Sequence, residues 1–452
     1  MDNISKTIDP KIRLIVTILL LFSGFVSLAS QTMMITALPV IEHEMNVSLT
    51  LVQWLTTGYT LMVGVITPLS SNLYEKFKKR NIFLATIAIF ILGTLIGCFA
   101  TDFWLLLLAR LVQACASGLL MSFQMTTMIS IYPIEKRGTI LGMSGLVIAF
   151  GPAIGPTLSG LIVNTLGWRY IFILVLPMML LVWSIGFFAF PNFSEPKDIK
   201  IDFISVGLSL LGSGLTLASL TFFQTSALQG WIMLVLGLAI LFIFVKRQLR
   251  LKQPMLKVQL VKNRSFRLMT LVGICAFMVL LGTEQMLPIF TQNVLHLNSM
   301  VSGMILLPGA IANALSAALV GRLYDKHGPK YLIISGGILM LIAAIPFVMI
   351  SETTPVWLLT VAYMLRMIGN ALVFSPAMSE AFVDVLPDEV SHATALNNSL
   401  RQAFGASSIT ILIVLSNIPA TFTAGMRLSM WVTVGLVLLM LTCFGLYLRK
   451  DA

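Results

Sequence analysis

Long stretches of consecutive apolar residues, continuous rather than alternating, set the strongest constraint on how this chain can fold. An α-helix needs about 20 predominantly apolar residues to cross the hydrocarbon core of a bilayer. In lipid, backbone amides and carbonyls must be satisfied internally, which leaves only helices and closed barrels. Barrel strands alternate apolar and polar side chains, and these stretches do not. Read as helices they give fourteen spans, the first over 14–39, the fifth over 138–163 and the last over 427–448. Only 10% of the 452 residues are charged, against roughly 25% in soluble proteins, which excludes a soluble globular enzyme. Short connections leave no room for a large domain outside the membrane.

The formal net charge of +11 acquires meaning from its distribution. Under the fourteen-span count, Lys6, Lys11, Arg13, Lys76, Lys78, Lys79, Arg80, Lys136, Arg137, Arg449 and Lys450 all fall on one face. The connection 246–267 adds Lys246, Arg247, Arg250, Lys252, Lys257, Lys262, Arg264 and Arg267 to that face without one acid. The other face holds mainly Glu42, Glu44, Asp102, Arg169, Glu352 and Arg427. This asymmetry predicts a multi-pass protein of the cytoplasmic membrane with both termini in the cytoplasm. The basic excess therefore orients the chain in lipid and implies no nucleic-acid partner. Cys98, Cys115, Cys275 and Cys443 stand singly inside apolar runs, so neither a disulfide framework nor a thiolate metal site is expected. His43, His296, His327 and His392 lie in or near connections and form no HExxH pattern. No phosphate-binding GxxxxGK[ST] loop occurs, so neither ATP nor another cofactor is expected, and the first run reads as a signal anchor.

The chain repeats itself. Pro39, the stretch Ser71 to Lys76, and Arg110 recur as Pro288, Gly321 to Lys326, and Arg366, at offsets of 249, 250 and 256. A near-constant offset indicates a duplicated six-helix unit. Two such halves, residues 1–195 and 263–452, flank a segment 196–262 that carries two further spans, 203–223 and 229–245. Paired halves with a substrate site between them are a common plan of secondary transporters. The run Gly142, Gly151-Pro152, Gly155-Pro156, Ser159-Gly160 places small residues on one face of the fifth span. Such a face admits close approach of a neighbouring helix, either for motion or for tight packing.

These residues resemble the major facilitator superfamily, specifically the fourteen-helix drug:proton antiporter branch of QacA-like multidrug exporters. Gly321 to Lys330, GRLYDKHGPK, is similar to the superfamily loop motif GxLxDRxGRK. Ser71 to Arg80, SNLYEKFKKR, is its eroded counterpart, with Glu75 for aspartate and Lys78 for glycine. Arg110 to Gly118 resembles the RxxQGxG pattern of helix four, and the Gly142 to Gly160 run resembles the antiporter motif, with Ser159 for its last glycine. Gln53-Trp54-x4-Tyr59, Asn397-Asn398-x2-Arg401-Gln402, Asp202-x4-Gly207 and Gly230-Trp231 are similar to other segments of that branch. The resemblance implies an all-α polytopic membrane protein, two six-helix bundles plus two inserted helices. It also implies exchange of protons for lipophilic or cationic drugs by alternating access, by a monomer. One departure is plain: the branch carries an aspartate near the end of helix one, and this chain has Ser30 there.

Some other acid must then couple to protons. Among all Asp and Glu, only Glu284 falls well inside a span, where a charge costs at least about 2.5 kcal/mol. Such a carboxyl can hold a proton while its cavity is empty and release it when a cation enters, or it can be a neutral structural donor. Glu380, at the end of span twelve, is a second candidate whose other reading is a solvated helix end. Arg110 and Arg366 lie at corresponding depths and are expected to face the bundle interior. Arg110 either retunes the carboxyl or bonds backbone carbonyls. Glu75 and Asp325 are expected in ion pairs at helix ends of the other half, or as solvated turns. Conformational switching is assigned to Gly151, Gly155, Pro156, Glu75, Asp325 and Arg366. Substrate contacts are expected from Met33, Trp54, Tyr59, Gln285 and Met286, with plain packing as their other reading.

Overall fold

A computed structural model describes residues 9–132, 151, 154–192, 202–223, 226–251, 254–386 and 389–449. Every regular element among them is helical, and thirteen helices are long and apolar enough to cross a membrane. The fifth expected span, 138–163, is described at residue 151 and from 154 onward, as a helix over 154–165; Gly142 and Pro152 lie outside the described residues, as do Lys136 and Arg137. In chain order α1 is Pro10–Met45, α2 Trp54–Lys76, α3 Lys79–Cys98, α4 Phe103–Ile131, α5 154–165 and α6 Arg169–Ala189. Next come α7, Phe203–Phe222, and α8, Ala227–Arg250. The remaining six are α9 Arg264–Asn293, α10 Ser299–His327, α11 Pro329–Val348, α12 Val356–Ala381, α13 Val390–Ser416 and α14 Phe422–Leu448.

Short polar side chains start these helices by taking up amides that have no partner in the first turn. Asp102 accepts from the amides of Trp104 and Leu105 at 2.9 and 3.0 Å, Asn263 from Phe266 at 3.1 Å, and Asn298 from Val301 at 2.9 Å. Between α10 and α11 the chain turns on Gly328 alone, at φ +70°, and Pro329 opens the next helix. Only glycine adopts that backbone readily, and proline's fixed φ suits a first helical position. The eroded copy solves the same turn differently. Lys78, where the other half has Gly328, sits at φ −60° and ψ 131°, and Lys79 donates its ammonium to the Tyr74 carbonyl.

The duplication read from spacing is a duplication of packing. Helix α1 packs on α4 and α6, α2 on α4, and α3 on α4 and α6; α9 packs on α12 and α14, α10 on α12, and α11 on α12 and α14. Pro39 lies inside α1 and Pro288 inside α9, at equivalent places. Helices α7 and α8 form a hairpin whose main contact is each other, and α7 also lies against both α2 and α13. Asp202 caps α7 and takes a two-pronged ion pair from Arg247 of α8, at 2.9 and 3.0 Å. Partial burial pushes the Asp202 carboxyl up, but hydrogen bonds from Arg247 and Ser205 and the guanidinium charge outweigh it and hold the group below its ordinary value.

Candidate site at the seam between the halves

Among the described residues, hydrogen bonds join the two halves at three helix pairs. Helix α1 meets α9, where Gln292 donates to the Thr36 carbonyl at 3.1 Å. Helix α5 meets α10, where Thr157 Oγ1 donates to the Gly303 carbonyl at 3.0 Å and Ser299 Oγ to the Gly160 carbonyl at 3.3 Å. Helix α2 meets α13, where Ser399 Oγ donates to the Gly64 carbonyl at 2.8 Å. The first two contacts lie toward the face opposite the described chain ends, so the seam is drawn together there. Glycine makes this approach possible: a Cβ on Gly303 would stand 2.5 Å from the Pro156 carbonyl oxygen, and one on Gly64 would stand 2.8 Å from Gln402 Cβ.

The glycine run of α5 has two faces, which corrects the single face expected from spacing. Gly151 and Gly155 seat α1, against Leu28 and Thr32, and Ser159 Oγ donates to the Met33 carbonyl. Gly160 instead abuts Ser299 of the other half, and the Pro156 carbonyl faces Gly303. One residue turns a helix by about 100°, so Gly160 cannot share a face with Ser159.

Glu284 is buried in the middle of α9, and no hydrogen bond or ion pair to its carboxyl occurs among the described residues. Helix α9 packs on α12, which carries the buried Tyr363 and, one turn further along, Arg366. Arg366 is fully buried; it donates to Thr433 Oγ1 at 2.5 Å and lies 5.6 Å from the centre of the Phe347 ring. Arg110, its counterpart, donates to the carbonyls of Leu55, Ser30 and Gln31 at 3.2 to 3.3 Å and to Gln113 Oε1 at 2.9 Å. Its guanidinium also lies over the Tyr59 ring at 4.2 Å. Arg110 thus ties α4 to α1 and α2 within one half, and no hydrogen bond joins it to Glu284. The position of the missing aspartate, Ser30, offers Arg110 a backbone carbonyl in place of a carboxylate.

The expected substrate contacts separate into two kinds. Met33 and Met286 are packed into one apolar cluster that runs through both halves, and Tyr59 is bonded to Ser117, itself the acceptor from Ser27 at 2.7 Å. Trp54 is half-buried at the start of α2. Gln285 differs, being buried with neither amide atom paired among the described residues. Ser27, Ser117, Gln31 and Gln124 line a cavity of about 30 Å³ within the first half, enough for about two water molecules. The side chains of Glu75 and Asp325 lie outside the described residues.

Two features escaped the sequence reading. Glu380 is not a solvated helix end: it is buried and accepts hydrogen bonds from Tyr324 at 2.6 Å and from Tyr447. Neither tyrosine neighbours it in sequence, although Tyr324 sits within the loop motif. Arg401 is a third buried arginine among the described residues, held between the rings of Phe277 and Phe374 at 4.9 Å from each. Its place beside Gln402 in a family-like segment was the available signal.

The sequence model described as Major Facilitator Superfamily matches residues 20–410. The chain belongs to that superfamily. Among its relatives is YcnB of Bacillus subtilis (strain 168), named an uncharacterized MFS-type transporter, 37% identical over 92% of this chain and 89% of its own length. The lincomycin resistance protein LmrB of Listeria innocua is 35% identical over 87% of this chain and 84% of its own. The riboflavin transporter RibZ of Clostridioides difficile (strain 630) is 23% identical over 96% and 98%. A crystal structure of a POT family transporter in complex with 5-aminolevulinic acid superposes with a TM-score of 0.71 at 17% identity, covering 96% of both chains, and so shares the fold. The protein is a multi-pass membrane transporter of this superfamily.

Proposed function

We propose that this transporter is a proton-coupled exporter of lipophilic or cationic drugs, working by alternating access of residues 1–195 against residues 263–452, with 196–262 as the insert. The observation that carries the reading is Glu284, a membrane-buried carboxyl with no fixed cation bonded to it among the described residues. A group so placed exchanges its proton with whatever cation enters, and it takes the part that Ser30 cannot. The lincomycin resistance relatives support drugs as the cargo class. In this reading Arg110 and Arg366 brace their halves, Gly151 and Gly155 hold α5 against α1 so that the two move together, and Pro156 gives α5 the close contact with Gly303 along which the halves rock. Glu75 and Asp325, in the last turns of α2 and α10, supply ion pairs that hold alternate states, and the transporter acts as a monomer. Both termini face the cytoplasm, as the one-sided basic residues require.

In proteoliposomes, substrate should release protons from the wild type, and Glu284→Gln should abolish proton-driven export while the protein still inserts. Wild-type export by Glu284→Gln would move coupling to Glu380 or to Glu42 in the last turn of α1. A thiol reagent added outside intact cells should leave Lys262→Cys unlabelled; labelling would invert the topology. A dedicated exporter of one metabolite is the second reading, favoured by the relative named a riboflavin transporter. Resistance profiling of a deletion strain separates the two.

A further inference from the structure

The seam holds buried polar atoms that no described residue pairs. Gln53 and Thr57 project from α2's end, Gln285 from α9 and Gln402 from α13, none more than 4% exposed. Both amide atoms of Gln53, both of Gln285, Oε1 of Gln402 and Oγ1 of Thr57 have no hydrogen-bond partner among the described residues.

Helix register brings them together. Gln53, Thr57 and Gly64 are spaced by four and seven residues, which puts them on one face at the start of α2. Gly64 on that face touches α13, through Ser399 and Gln402. Helices α2 and α13 run in opposite directions, so eleven residues outward from Gly64, at Gln53, the facing level on α13 is near residue 410. On the other side, Gly282 of α9 lies against Ser408 and Leu412 of α13, and Gln285 is the next turn outward. Gln53 and Gln285 therefore lie within about one turn of each other along α13, about 12 Å and about 17 Å from the level of Gln402 at 1.5 Å per residue.

Folding alone gives no reason for this strip. An unpaired buried amide is destabilising, and a leucine or methionine would fill similar volume without leaving donors and acceptors unmet. A site built from such groups discriminates strongly for ligands that complete them and against analogues that do not. Resting on the exporter reading, we infer that these four side chains form a hydrogen-bonding subsite, which selects amphiphilic cations bearing hydroxyl and amide groups over purely lipophilic onium ions. Charge is met by Glu284, level with Gln285 but about 100° around α9 from it, and the strip recognises the neutral polar scaffold.

The test uses the full-length purified protein and two monocationic probes: puromycin, which carries an amide and hydroxyls, and tetraphenylphosphonium, which carries no hydrogen-bonding group. Wild type should bind puromycin at least about tenfold more tightly. Gln53→Leu and Gln285→Leu should each weaken puromycin about tenfold, leave tetraphenylphosphonium within about twofold, and keep or raise the melting temperature. Three results overturn the inference: a wild type that prefers tetraphenylphosphonium, equal weakening of both probes, or a fall in melting temperature without a change in preference. The last would mean that the amides bind only structural water. The exporter reading fails separately, if selective binding is found but neither probe moves with a proton gradient.

Discussion

Replacing Gly303 by alanine places a methyl group where the halves touch. Its Cβ would stand 2.5 Å from the Pro156 carbonyl oxygen and 3.0 Å from Thr157 Cα, both backbone atoms of the opposing helix that cannot rotate away. Overpacking of this kind costs about 1–3 kcal/mol. The contact exists only while the seam is closed at the face opposite the termini, so the penalty falls on that arrangement and not on one in which α5 and α10 have parted. The equilibrium should move by about 5- to 150-fold toward the parted state. Ser299→Cys, in a background where the four native cysteines are replaced, reports the change, because Ser299 is buried against Gly160 across the seam. Adding Gly303→Ala should raise its rate of modification by a soluble thiol reagent at least about fivefold. Gly369→Ala is the control, since its clash, 2.7 Å to the Gly336 carbonyl oxygen, lies wholly within one half. It should lower the melting temperature without changing the labelling rate. If both variants accelerate labelling alike, or Gly303→Ala lowers stability and leaves labelling unchanged, the assignment of this contact to one transport state is wrong.

Tyr447→Phe removes one of two hydroxyl donors from the buried Glu380 carboxyl and should destabilise the protein by about 1–3 kcal/mol, read by thermal unfolding in detergent. Arg110→Lys cannot reproduce the fork that reaches the Leu55, Ser30 and Gln31 carbonyls, and a loss of about 2 kcal/mol or more is expected in the same assay. Asp202 has its carboxyl held below the ordinary value, so its contribution to stability is present above about pH 4 and is lost as pH falls through the depressed value. Asp202→Asn should remove that part of the acid-induced fall in melting temperature; an unchanged acid profile would leave the ion pair without a role in stability.

Helix number, duplication and membrane class were legible because they rest on run length and spacing, which lipid imposes on sequence directly. Arg110 and Arg366 were legible for the same reason, as charges that hydrocarbon would exclude. The sequence could not tell that Arg110 spends its donors on carbonyls, since a carbonyl leaves no trace in residue identity. Glu380 was misread because depth along one helix says nothing about tyrosines arriving from two others. Gly160 was misplaced because the motif lists small residues in order, while the helix distributes them around its axis. Gln285 was picked out by its place on the ninth span beside the expected cavity, yet its unpaired state and its alignment with Gln53 depend on the register between helices that no single segment encodes.

The hairpin of α7 and α8 has a consequence for how cargo reaches the seam. A seam between two bundles opens to lipid along two flanks, one between α2 and α13 and the other between α5 and α10. Helix α7 lies over the first, its Val206 and Leu210 packed on two apolar clusters, one holding Met62 and Leu69 of α2 and the other Leu61 of α2 with Ala406 of α13. A molecule dissolved in the bilayer that approaches sideways therefore finds one flank roofed by protein. The two added helices thus make a pair of similarly packed halves one-sided toward the membrane.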